Sequence, residues 1–102
     1  MPKVKQAVTN TTKGCLITGT IKKPDGSASR EKVVFTPANG GIYAGNFISA
    51  APVVVIPDVD GKVTITLPPS VVMGPYDVRF HRQTRRIEVP DRDTADLSEL
   101  LA

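Results

Sequence analysis

The strongest constraint on this chain is an alternation of apolar and polar residues that occurs twice between Asp58 and Phe80. After the turn Asp58-Val59-Asp60-Gly61, the run Lys62-Val63-Thr64-Ile65-Thr66-Leu67 places Val63, Ile65 and Leu67 on one face and Lys62, Thr64 and Thr66 on the other. Beyond a Pro-rich corner, Tyr76, Val78 and Phe80 alternate with Asp77, Arg79 and His81. A period of two is the mark of a β-strand with one buried face. Each such strand needs a facing layer to cover its apolar side, so the rest of the chain must supply sheet.

It does so in order. Cys15 to Lys22 reads as a strand with Ile17, Gly19 and Ile21 on one face, ended by Pro24-Asp25-Gly26, where Pro fixes φ and Gly supplies the positive φ that closes a turn. Lys32 to Thr36 is a second strand with Val33 and Phe35 inward, and Pro52 to Ile56, a continuous Val-Val-Val-Ile run, reads as a strand buried on both faces. Arg82 to Arg85 is expected to turn, and Arg86 to Val89 to form a last strand with Ile87 and Val89 inward. Pro90 then ends the sheet, because it cannot donate to a ladder. Thr94 to Leu101, with Asp93 as N-cap and Leu97, Leu100 and Leu101 at helical spacing, predicts one short helix. The expected core is Ile21, Phe35, Val63, Ile65, Leu67, Tyr76, Val78 and Phe80.

A chain of 102 residues supports one modest core. Its single cysteine, Cys15, excludes an intramolecular disulfide and any Cys-based zinc site, and beside Leu16 and Ile17 it reads as a buried, inert thiol. No stretch has signal-peptide or membrane-span character, so synthesis and folding in the cytoplasm are expected. A formal net charge of +3 is a mild excess. The densest positive group, Arg79, Arg82, Arg85 and Arg86, has no interleaved aromatic residues for base stacking, so it reads as a basic rim and not as a nucleic-acid site.

Catalytic equipment is not visible in the sequence. His81 is the only histidine, no serine sits in a nucleophile motif, and a solvent-facing strand position is its expected role. Asp58 and Asp60 before Gly61 resemble part of a calcium loop, but the loop-closing Glu is missing and a turn explains the pair. No cofactor and no metal are expected. More informative is the stretch from Val33 to Pro57, which carries no charged residue. Within it Ile42, Tyr43 and Phe47 sit in a Gly-rich loop, a composition that suits either a plain connection or a contact surface, since interface cores exclude charge and favour aromatic residues.

The succession Gly19-Thr20-Ile21, Pro24-Asp25-Gly26, Lys32 to Pro37, Asp58 to Pro68 and Gly74 to Phe80 resembles the carboxypeptidase-regulatory or transthyretin-like β-sandwich pattern. The ending Ile87 to Pro90 followed by Thr94 to Leu101 is similar to the close of small β-sandwich proteins of tailed bacteriophages, notably minor tail proteins of phages of actinobacteria. The loop from Ala38 to Ala51 and the Ser29-Arg30-Glu31 step depart from the regulatory pattern. This resemblance implies an all-β, antiparallel, immunoglobulin-like or transthyretin-like sandwich in a virion, without catalysis, in contact with other virion proteins of tail or capsid in a homo-oligomeric or symmetric assembly. Capsid decoration and a carbohydrate- or ligand-binding module are the alternatives.

The expected organisation is a flexible N-terminal arm over residues 1–14, the sandwich over 15–90, and a linker with a short helix over 91–102. Ile42, Tyr43, Phe47, Leu97, Leu100 and Leu101 are the expected protein contacts, with the helix able to swing onto a neighbouring subunit.

Overall fold

The computed structural model describes residues 14–102, so the arm expected over residues 1–14 lies almost wholly outside the described residues. Two sheets face each other. One has the order β9-β1-β6, from β1 (Cys15–Thr20), β6 (Lys62–Leu67) and β9 (Thr94–Asp96); the other has the order β5-β2-β7-β8, from β2 (Val33–Pro37), β5 (Val53–Val55), β7 (Tyr76–Phe80) and β8 (Gln83–Ile87). A separate hairpin joins β3 (Gly41–Tyr43) to β4 (Asn46–Ile48). All pairings are antiparallel except β9 with β1. The all-β sandwich implied by the alternation is therefore the observed fold.

The two alternating runs that specify it lie in different sheets, β6 against β1 and β7 against β2. The Pro-rich corner between them makes the crossing through a short helix, α1 (Ser70–Met73). Three bonds hold this corner to the strand ends. Ser70 N–H donates to the Val89 carbonyl at 2.9 Å and Val89 N–H to Ser70 Oγ at 2.8 Å, while the Tyr76 hydroxyl donates to the Pro68 carbonyl at 2.8 Å. Burial of polar backbone at a crossover is tolerated because each group finds a partner.

Between the sheets lie Cys15, Ile17, Val33, Phe35, Val63, Leu67, Tyr76, Val78, Ile87 and Val89, joined by Met73 from α1 and Leu97 from α2 (Leu97–Leu101). Of the eight expected core residues, Phe35, Val63, Leu67, Tyr76 and Val78 are buried, whereas Ile21, Ile65 and Phe80 are half-buried at the margin. Phe80 is the last residue before a turn and Ile21 the first beyond β1, so both sit where the facing layer runs out.

Three local expectations are corrected. Residues 94–96 are a strand and not helix: β9 pairs parallel with β1, and the helix begins at Leu97 with Asp96, not Asp93, as N-cap, its carboxylate accepting from Ser98 N–H at 3.0 Å. The second turn is His81-Arg82 and not Arg82 to Arg85, so the last strand of that sheet starts at Gln83. The Val-Val-Val-Ile run is, among the described residues, an outer strand and not a buried one, pairing there with β2 alone and leaving Val53 40%, Val54 54% and Ile56 70% exposed.

Candidate protein-contact surface and the His81 cluster

The uncharged stretch from Val33 to Pro57 supplies β2, β3, β4 and β5, of which only β2 lies inside a sheet. The rest reaches the surface. In the β3–β4 hairpin, Ala44 and Gly45 both take positive φ, 55° and 83°, which is the turn geometry that matches strand twist in a two-residue connection. Gly41 sits so close to α1 that a Cβ would meet the Val72 carbonyl at 2.7 Å, fixing the hairpin against the crossover corner. Its cross-strand pair Ile42 and Phe47 then stands out in solvent, 66% and 68% exposed. Tyr43 is half-buried and borders a cleft of about 510 Å³ with Gly14, Asp91, Arg92 and Asp93.

The other expected contacts lie elsewhere. α2 packs against β1, β9 and β8 of its own domain, across the side of the sandwich where both sheets end. Leu97 is buried there and Leu100 and Leu101 are half-buried against the same core, so a helix free to swing onto a neighbour is not what the structure has. The cause is Gly19: a Cβ at this position would lie 2.6 Å from Leu97 Cβ, and its absence lets the helix lie directly on β1. Accordingly residues 91–102 belong to the sandwich domain.

The basic rim is dispersed. Asp77 and Arg86 are cross-strand partners and form a 3.3 Å ion pair, while Arg85 reaches the Leu101 carbonyl. Arg79 and Arg82 line an open groove of about 690 Å³ that Glu31 and Asp77 also border, so the rim is of mixed sign. Asp58 Oδ1 accepts from Lys62 N–H at 3.0 Å and Asp60 N–H at 2.9 Å, and these bonds, Lys62 first, hold its carboxyl below the usual 3.8. That carboxylate organises the turn into β6.

One cluster had no signal in the sequence. His81 Nε2 lies 2.5 Å from Ser29 Oγ, its Nδ1 lies 3.4 Å from Glu31 Oε1, and its backbone N–H donates to Glu31 Oε2 at 2.9 Å. With the ring proton on Nδ1, the hydroxyl donates to Nε2 and the carboxylate accepts from Nδ1. The order Ser, His, carboxylate is that of a nucleophile, a base and an orienter. Yet Ser29 is only 1% exposed, so a substrate carbonyl cannot reach its oxygen. The cluster acts instead on the backbone. His81 and Arg82 hold φ values of 49° and 63°, a left-handed pair without glycine, costing about 1–2 kcal/mol per residue. Ser29 and Glu31, from the connection between β1 and β2, fix that turn in place. Residues fifty apart in sequence meet through the pairing of β2 with β7, which no local pattern announces.

Among the described residues no group of three or more His, Cys, Asp or Glu side chains could hold a metal ion, and no helix is long and apolar enough to cross a membrane. No protein-family model matches the chain, and no curated protein matches it.

Proposed function

We propose that this protein is a non-catalytic structural component of a phage virion, a minor tail or tail-tip protein, that works through protein–protein contacts. The observation that carries the contact reading is the exposed apolar side of the uncharged stretch: Ile42, Phe47, Val53, Val54 and Ile56 all face solvent within 25 residues that contain no charge. Isolated surface apolar residues are ordinary, but a run of them without any charge is a composition that interfaces select. The assignment to a virion comes from the resemblance of the strand succession and the C-terminal segment to tailed-phage β-sandwich proteins.

The same sandwich would serve in capsid decoration, and separating heads from tails before detection distinguishes the two. A carbohydrate-binding role finds less support, because stacking on sugars needs an exposed aromatic platform, and here Tyr76 is buried, Tyr43 half-buried and Phe47 isolated. The test is quantitative mass spectrometry of purified particles after head–tail fractionation. Fixed stoichiometry in the tail fraction is the expected result; a protein found only in the soluble lysate would refute the reading.

A further inference from the structure

The two flanks of the sandwich are unequal. On one, α2 lies across β8 and β9, the outer strands of the two sheets, and covers the gap between them. On the other, β5 and β6 lie beside each other as outer strands, each paired, among the described residues, on one side only. An outer strand with free backbone donors and acceptors recruits another strand unless charge, proline or cover prevents it. β6 opens on Lys62, and β8 carries Arg85 and Arg86. β5 carries Val53, Val54 and Val55 and has no charged neighbour within the stretch from Val33 to Pro57.

We propose that β5 is a self-association edge, at which two copies of the chain pair antiparallel about a two-fold axis. This rests on the reading that the uncharged stretch makes protein contacts and names the partner as a second copy. An isologous contact sets each residue of the strand against its own segment, so a single charge there would meet a like charge; β5 has none. Val54, 54% exposed, and Ile56, 70% exposed, supply apolar surface at the edge. Pro52 and Pro57 bracket the strand, and lacking N–H groups they stop the ladder after a few residues, giving a closed pair and not an extended sheet.

The size of the edge sets its strength. These side chains offer on the order of 200 Å² of apolar surface per copy, against about 800 Å² per partner in a stable complex. The isolated pair is therefore weak, with Kd between about 10 μM and about 1 mM, and becomes strong only where an assembly holds many copies together.

Sedimentation velocity of the full chain from about 10 μM to about 1 mM tests this. The wild type should shift from monomer to dimer. Val54→Lys and Ile56→Lys, each at an already exposed position and each checked for an unchanged unfolding midpoint, should weaken the dimer at least tenfold, while Val71→Lys, 80% exposed on α1, should dimerise as the wild type does. A wild type that stays monomeric throughout, as when the N-terminal residues or a different protein occupy the edge, overturns the proposal. So do both edge variants dimerising normally, or a Val71→Lys variant that fails to dimerise. Incorporation into particles is a separate readout, so failure of self-pairing and failure of the virion assignment are told apart.

Discussion

Replacing Leu97 by alanine should cost this domain a large share of its stability. The side chain is 2% exposed and lies on β1 above Gly19, so truncation removes almost all of a buried leucine. Such substitutions cost about 2–5 kcal/mol, the spread reflecting how far the site collapses. Because the helix has five residues and no independent stability, it can settle only slightly towards β1, where Leu97 Cβ already abuts the glycine. The upper half of that range is expected, against about 5–15 kcal/mol for a whole domain. Urea denaturation followed by far-ultraviolet circular dichroism reads it as a fall in midpoint at constant slope. Gly19→Ala should destabilise independently, and Leu97→Ala should not rescue it, because the close approach involves Leu97 Cβ, which alanine keeps. A Leu97→Ala midpoint within about 0.5 kcal/mol of wild type would refute the placement of α2 in the core.

Arg82→Gly should stabilise by about 0.5–1 kcal/mol, since glycine takes the left-handed φ of 63° without strain but loses more entropy on folding. A lowered thermal midpoint would count against the strained turn. Burial raises the Tyr76 phenol from 10.0 to about 12, so the folded state holds that proton more tightly than the unfolded chain. Its contribution is complete below pH 10 and is lost as pH rises through about 12, a slope in the alkaline stability profile that Tyr76→Phe should remove. The depressed Asp58 carboxyl acts at the other end: its contribution is present above 3.8 and disappears as pH falls through the lower folded value. Asp58→Ala should therefore flatten the acid limb, and an unchanged limb would show that the Lys62 and Asp60 bonds do not form in solution.

What the sequence displayed was periodicity, and periodicity reports which side of a strand is buried. Val63, Leu67, Tyr76 and Val78 were legible for that reason and are in the core. Sheet membership was not legible, because the same alternation serves a strand at the centre or at the edge. Val53 to Ile56 is the clearest case: a run without a polar face suggested burial on both sides, yet it lies at the margin with its apolar surface out. The C-terminal segment misled differently. Leu97, Leu100 and Leu101 have helical spacing, but Thr94 to Asp96 is drawn into a parallel strand by β1, a tertiary preference that overrides the local one. Ile42 and Phe47 were legible as surface candidates from absent charge, whereas the Ser29, Glu31 and His81 cluster depends on a register that no single stretch contains.

The proposed contact function in a virion is tested most directly by following Phe47→Asp into particles. Phe47 is 68% exposed on the hairpin, so a carboxylate there should leave the fold and its denaturation midpoint unchanged while placing a charge in the uncharged surface. Assembly is then scored by quantitative mass spectrometry of particles grown with the variant as the sole copy. A folded Phe47→Asp protein excluded from particles, with assembly defective in consequence, is the predicted result. Incorporation at wild-type stoichiometry into infectious particles would contradict it.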